Sequence, residues 1–451
     1  MAPDPPLFKP SNPHPKPRSR GRVSTGWRQF GQGLTQAVRW LGHCLLQPLN
    51  WLRHLQRRDR LFALILMGVW LSILLGNFFL KGNLVFEGNL VAKAISFTYA
   101  GQEEKLFLQP MRNLQTLDIQ GAQPQPLVLT GRFSSPDAAI QQKLSQLNKL
   151  TLSLSSPMSR LVMESSKPGV NNQLSILELR LYPNTQVSQL TYDFSRSELS
   201  FCVLTESLPA KTCLFPDNSL PGSSSSQPPV GKVILALGQT PLSLNLERVS
   251  IPELSITADG NDILPEISFT PELGEPGVEL LSPTQLYIRM AATPTIGEPQ
   301  ASNALDYIRA DIEVKNVQFI GLDPSTNIND ELQVSTLLDG EIRMGSQTMK
   351  LNPDQFLIIP TNQPGITRLR YIRLNPTTPK GLKILISGKS NSIATGLYPD
   401  YPVQKIEPSF LSKYFSQEAI NAILAFIGAF TAVLLPRLFP DPTNQNHNSN
   451  Q

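Results

Sequence analysis

The chain has 451 residues, 40% of them hydrophobic and 16% charged, with 40 prolines, which excludes wholesale disorder and a body of long solvated helices. Its histidines are His14, His43, His54 and His447, so the long stretch between the last two excludes Ser-His-Asp sites, histidine-ligated zinc and histidine haem ligation. Residues 1–80 carry 11 Lys and Arg against two acids, whereas residues 82–415 carry 26 bases and 31 acids; this asymmetry implies two different surroundings, and an acidic body argues against a nucleic-acid partner.

Residues 1–22 hold seven prolines within the first 17 positions and no apolar pattern, so a disordered basic tail is expected. Residues 23–60 then show Trp27, Phe30, Leu34, Val38, Leu41 and Leu45 at helical spacing. With arginines on the remaining positions, this region predicts an amphipathic cytoplasmic helix lying in a membrane interface. Trp27, Phe30, Trp40 and Trp51 are its candidate anchors and membrane lipid its partner. Leu61 to Leu80 contains no charge over 20 residues, the length of a first transmembrane helix, and Arg53, Arg57, Arg58 and Arg60 before it place the N-terminus in the cytoplasm.

Alternation of apolar and polar residues dominates from there to residue 415. Residues 149–156, 174–182, 187–194, 242–251, 310–320 and 381–388 put an apolar side chain at every second position, which predicts strands with one face on a core. Residues 136–147 are the best helix candidate, and Asp339-Gly340 between two alternating runs predicts a hairpin turn. Residues 215–231 are dense in Ser, Pro and Gly and read as a linker or long loop, dividing the body into β-rich domains 82–214 and 232–415. Cys202 and Cys213 flank a proline-containing turn at a spacing that suits a disulfide across a hairpin.

Ala419 to Phe439 is apolar apart from Arg437 and predicts a second transmembrane helix, followed by a disordered tail at 440–451. The expected fold class is therefore a mainly β extracytoplasmic region, as a sandwich or open barrel-like sheets, flanked by two transmembrane α-helices. The expected localisation is integral and two-pass, with both termini cytoplasmic and residues 82–415 extracytoplasmic.

Candidate chemistry in the body is sparse. Asp311 and Glu313 share a strand face, which reads as solvated surface. Residues 323–331 lack the glycine and glutamate of a calcium loop, and "SGKS" at 387–390 lacks the upstream glycine of a phosphate loop. Six bases and no acid lie between Gln355 and Pro399: Arg368, Arg370, Arg373, Lys380, Lys383 and Lys389. They are candidates for contact with an anionic partner or lipid headgroups, or for pairing with the eight acids of residues 247–279. No catalytic residue, metal site or cofactor is assigned. The function expected is a membrane-anchored, non-enzymatic envelope protein whose β-rich body binds a protein partner or an envelope component. The alternatives are a carboxylate-dependent enzyme acting on an envelope polymer, or an accessory subunit of a transport or secretion complex.

Overall fold

The structure is a computed structural model that describes residues 83–407 except 167–172, 214–227, 258–265, 273, 291–307, 309–310 and 323–332, together with Ile65, Gly68, Phe415, 418–422, 425–426 and 429. The chain divides into two units, Met1–Gly76 and Asn77–Gln451, and only Ile65 and Gly68 of the first are described, so the fold is that of the second.

Alternation in sequence becomes alternation in burial. The strand Leu84–Ala92 buries Leu84, Phe86, Leu90 and Ala92 and exposes Val85, Glu87 and Asn89, while Leu127–Ser134 buries Leu127, Leu129 and Phe133 against exposed Val128, Thr130 and Arg132. Sixteen strands join edge to edge in one sheet that runs from Gln347–Leu351 to Lys149–Leu152. A second sheet orders Gly277–Leu280, Gly231–Ala236, Ser175–Leu181 and Lys105–Leu108. Pairing among the described strands is antiparallel.

The two sheets close over a shared core. Phe107 of the smaller sheet meets Phe97 and Phe201 of the larger one edge to face, with ring centroids 5.9 and 5.8 Å away. Such contacts are worth about 0.5–1.5 kcal/mol each beyond the area they bury. Ala94–Tyr99, which carries Phe97, is buried at every position and lies inside the layers. Only Lys93 separates it from Leu84–Ala92, yet the two halves pair differently. The first lies between Leu337–Met344 and Gly381–Ser390, the second between Thr185–Asp193 and Ile312–Gln318. The Lys93 N–H donates to the Thr336 carbonyl at 2.8 Å at this change of partners.

Strands from either side of residues 215–231 share sheets. Glu198–Thr205 pairs with Thr284–Met290, Ser175–Leu181 with Gly231–Ala236, and Arg160–Ser165 with Leu242–Glu247. The polar segment interrupts the sequence and not the sheets, so 82–214 and 232–415 are interleaved parts of one β body. The helix Ala138–Leu144 falls inside the expected 136–147; Asp137 caps it, accepting from the Ala139 and Ile140 N–H groups at 2.8 and 3.1 Å.

The hairpin turn falls elsewhere than at Asp339-Gly340. Leu337–Met344 runs unbroken through that pair, and the chain reverses at Gly345-Ser346, where Gly345 takes φ 59°. Gly340 is a glycine for another reason: a Cβ there would lie 2.7 Å from Leu90 Cδ2 and 3.0 Å from the Asn89 carbonyl, so any side chain would push the neighbouring strand's Leu90 aside.

The two expected transmembrane helices are corrected. Among the described residues no helix is long and apolar enough to cross a membrane. A span needs about 20 consecutive helical residues. Of 61–80 only Ile65 and Gly68 are described, and the described helical positions of 419–439 are 419–422, 425–426 and 429. Among the described residues the fold class is mainly β with no such span, and the two-pass localisation, which rested on the two helices, is not supported. The expected tail 1–22, the amphipathic region 23–60 with Trp27, Phe30, Trp40 and Trp51, and the tail 440–451 lie outside the described residues.

Candidate functional site

The six bases of residues 355–399 sit on two paired strands, Gly365–Asn375 and Gly381–Ser390, and on the loop between them. Arg368 Nε lies 2.7 Å from Asp311 Oδ1, and Arg370 Nη2 lies 2.9 Å from Glu87 Oε1. Both pairs are half-exposed, a setting in which an ion pair contributes at most about 1 kcal/mol. Their partners are Asp311 and Glu87 and not the acids of residues 247–279. Of those, Glu247 pairs with Arg160 and Glu266 accepts from the Ser243 hydroxyl. The Arg373 guanidinium stands 4.9 Å from the Tyr371 ring centroid and the Lys380 ammonium 6.0 Å from that of Phe194. Lys389 is exposed on its strand, and Lys383 lines a groove.

That groove, of about 430 Å³, lies on the solvent face where Gln347–Leu351, Leu337–Met344, Leu84–Ala92 and Gly381–Ser390 run side by side. Strand register builds its floor. Lys350 stands opposite Glu341, and Glu341 opposite Asn89; in the next row Asp339 stands opposite Val91, and Val91 opposite Lys383. The loop from Asn375 to Pro379 forms one wall. Asn375 Nδ2 donates to the Pro379 carbonyl at 2.8 Å and the Thr377 hydroxyl donates to Asn375 Oδ1 at 2.8 Å, so the loop satisfies its own polar groups and holds its shape.

A second surface feature is an apolar hairpin tip. The strands Phe356–Ile358, Ile393–Gly396 and Gln404–Ile406 form a small sheet, and between the last two the chain "LYPDYPV" projects into solvent. Leu397, Tyr398, Tyr401 and Val403 are 60, 63, 72 and 74% exposed. The Tyr401 N–H donates to the Tyr398 carbonyl at 3.3 Å across a turn with Pro399 at its second position, and the Val403 N–H donates to the Thr395 carbonyl at 2.7 Å. A Cβ at Gly396 would run into the Tyr401 carbonyl, so glycine is required where the chain folds back. Exposed valines elsewhere, Val85, Val128 and Val334, are single positions separated along the chain.

The remaining sequence candidates have structural places. Cys202 and Cys213 form a disulfide, with Cα atoms 6.1 Å apart, that ties the strand Glu198–Thr205 to the 3-10 turn Ala210–Cys213 and not to a second strand. "SGKS" is the end of the strand Gly381–Ser390, where Gly388 lies opposite Phe86; a Cβ there would come within 2.7 Å of the Phe86 ring. Asp311 and Glu313 are exposed, with Asp311 paired to Arg368. Residues 323–331 lie outside the described residues. Among the described residues no three His, Cys, Asp or Glu side chains converge as a metal site.

Buried charge is concentrated at Asp118. Arg160 reaches it with Nε at 3.1 and 3.2 Å and Nη2 at 2.8 Å, and the Asp118 hydrogen bond raises the Arg160 pKa above its usual range despite the cost of burial. Burial and then the Asp118 charge likewise push the Tyr287 hydroxyl upward. The Ser195 hydroxyl, donating at 2.6 Å, holds the Asp193 carboxyl below its ordinary 3.8, helped by the Ser195 and Arg196 N–H groups.

Sequence reasoning missed both surface features. The groove assembles residues from positions 89 to 383 and depends on strand order, which no local pattern carries. The tip had a local signal, two Tyr-Pro steps bounded by Leu and Val after a strand. No protein-family model, curated protein or solved structure matches the chain.

Proposed function

We propose that the protein is a non-catalytic binding protein whose β-rich body docks a protein partner at the hairpin tip Leu397–Val403. The observation that carries this reading is the exposure of Leu397, Tyr398, Tyr401 and Val403 within seven residues of a turn closed by a backbone hydrogen bond. Protein interfaces are anchored by a few large side chains, with tyrosine prominent because it offers broad amphipathic area at low entropic cost. Here the rings of Tyr398 and Tyr401 already contact each other, which lowers the ordering cost on docking further. Leu397 and Val403 flank them as apolar contact. Asp339 and Glu341, the acids nearest a cleft, leave one strand side by side instead of facing each other across it, which favours binding over carboxylate catalysis.

Photocrosslinking tests the reading. A benzophenone amino acid is placed at Tyr398 in the full chain, in its native cells, with the same group at Lys389 as an exposed control. One discrete protein adduct from position 398, lost on adding Tyr401→Asp and not formed from position 389, is the expected result. Adducts to lipid alone, or the same adducts from both positions, contradict it.

A further inference from the structure

We propose that the groove over Asn89, Asp339, Glu341, Lys350 and Lys383 is a binding site for a neutral polyhydroxylated ligand, a saccharide or a segment of glycan. It lies apart from the hairpin tip, none of whose residues line it, so it stands whether or not the tip docks a protein.

Glu341 and Lys350 stand opposite each other in adjacent strands, yet among the described residues neither they nor Asp339 and Lys383 form an ion pair. Arg368 and Arg370, two strands away or less, are each matched to a carboxylate. Those two arginines are satisfied within the fold, whereas four charged groups inside the groove keep their hydrogen-bonding capacity for a visitor.

Two carboxylates and two ammonium groups give the groove no net charge. A phosphate or other anion would meet Asp339 and Glu341, and a polyamine would meet Lys350 and Lys383, each at a cost in like-charge contact. An apolar ligand would strip water from four ionised groups without replacing their hydrogen bonds. A ring of hydroxyls avoids all three penalties, because each hydroxyl donates to a carboxylate and accepts from an ammonium or amide. Register supplies the alternation it needs: Lys350, Glu341 and Asn89 in one row place donor, acceptor and amide on neighbouring strands about 4.8 Å apart. Val91 lies between Asp339 and Lys383 in the next row and offers an apolar contact for the carbon face of a sugar ring.

A volume of about 430 Å³ falls within the size of small-ligand sites, and the self-bonded Asn375–Pro379 loop gives a wall that stands without a ligand.

The test is titration of the full-length protein with maltose, cellobiose, chitobiose and lactose, read by saturation-transfer NMR and calorimetry, with inorganic phosphate and spermine as charged comparators. At least one disaccharide should bind with a dissociation constant in or below the millimolar range. Asp339→Ala, Lys383→Ala and Lys350→Ala should each weaken it about tenfold, the effect of losing one hydrogen bond to a charged group. All three positions are at the surface, and Tyr398→Ala should leave binding unchanged. No binding of any disaccharide up to about 10 mM, binding of phosphate or spermine instead, or binding indifferent to the three substitutions overturns the proposal.

Discussion

Tyr398 and Tyr401 meet edge to face, with ring centroids 6.5 Å apart and planes at 87°, at the end of a hairpin in which both rings stand in solvent. The contact holds the rings to each other and not to the body. Replacement of either should therefore leave folding almost untouched: Tyr398→Ser, Tyr401→Ser and Val403→Ser should each change the unfolding free energy by less than about 0.5 kcal/mol in urea titration. A loss above about 1.5 kcal/mol from any of them would show that the tip packs on the body. Gly396→Val is the internal contrast, because its side chain meets the Tyr401 and Tyr398 carbonyls; it should cost at least about 1–3 kcal/mol.

Gly388 gives a second steric prediction. Phe86 lies opposite it across the strand pair and covers the space a side chain would take. Gly388→Val should destabilise by at least about 2 kcal/mol in the same titration, whereas Lys389→Val next to it, on the solvent face, should stay within about 0.5 kcal/mol. Equal effects at the two positions would contradict this alternation.

The disulfide between Cys202 and Cys213 closes a short loop of sequence separation 11. In the chain-entropy account such a closure contributes about 3 kcal/mol by restricting the unfolded chain. Cys202→Ala/Cys213→Ala and reduction of the parent by dithiothreitol should lower stability by similar amounts, and the double variant should be insensitive to dithiothreitol. Sensitivity in the variant would place the redox effect elsewhere.

Asp118 has a side chain only 9% exposed and depends on Arg160 for three hydrogen bonds. Arg160→Met leaves that carboxylate unpaired and should cost about 2–3 kcal/mol, below the range for a fully buried pair because the guanidinium keeps partial contact with water. Asp118→Val/Arg160→Met removes both charges and should recover part of the loss; a double-mutant cycle with no coupling would contradict the pairing.

Acid titration carries a signed prediction for Asp193. Its folded pKa lies below the unfolded value of 3.8, so its carboxylate stabilises the fold above that value, and the contribution is lost as pH falls through the folded pKa. Asp193→Asn should therefore be less stable than the parent near neutrality, with the gap closing below about pH 4. A gap that widens as pH falls would reverse the sign and refute the assignment.

Sheet content was legible because alternation is a local consequence of one face meeting a core: 149–152, 175–181, 185–193, 242–247, 312–318 and 381–390 are strands where the pattern placed them. The helix Ala138–Leu144 was legible within 136–147 from its helical periodicity, whereas its Asp137 cap came only from the structure. What failed depended on distance in sequence. Asp339-Gly340 has the local chemistry of a turn, but Gly340 answers to Leu90 in another strand, and the fold overrides the local preference. Hydropathy over 61–80 and 419–439 registers apolar composition alone, and among the described residues no helix is long and apolar enough to cross a membrane. Arg368 and Arg370 looked like a charge surplus because their partners Asp311 and Glu87 lie far away in the chain.

Calorimetric titration of the full chain with the protein captured at position 398 tests the central claim most directly. Tyr398→Ala/Tyr401→Ala should weaken that binding at least about thirtyfold, the effect of losing an interface hot spot of about 2 kcal/mol, with the unfolding midpoint unchanged. An affinity equal to that of the parent would contradict the assignment of the hairpin tip as the docking surface.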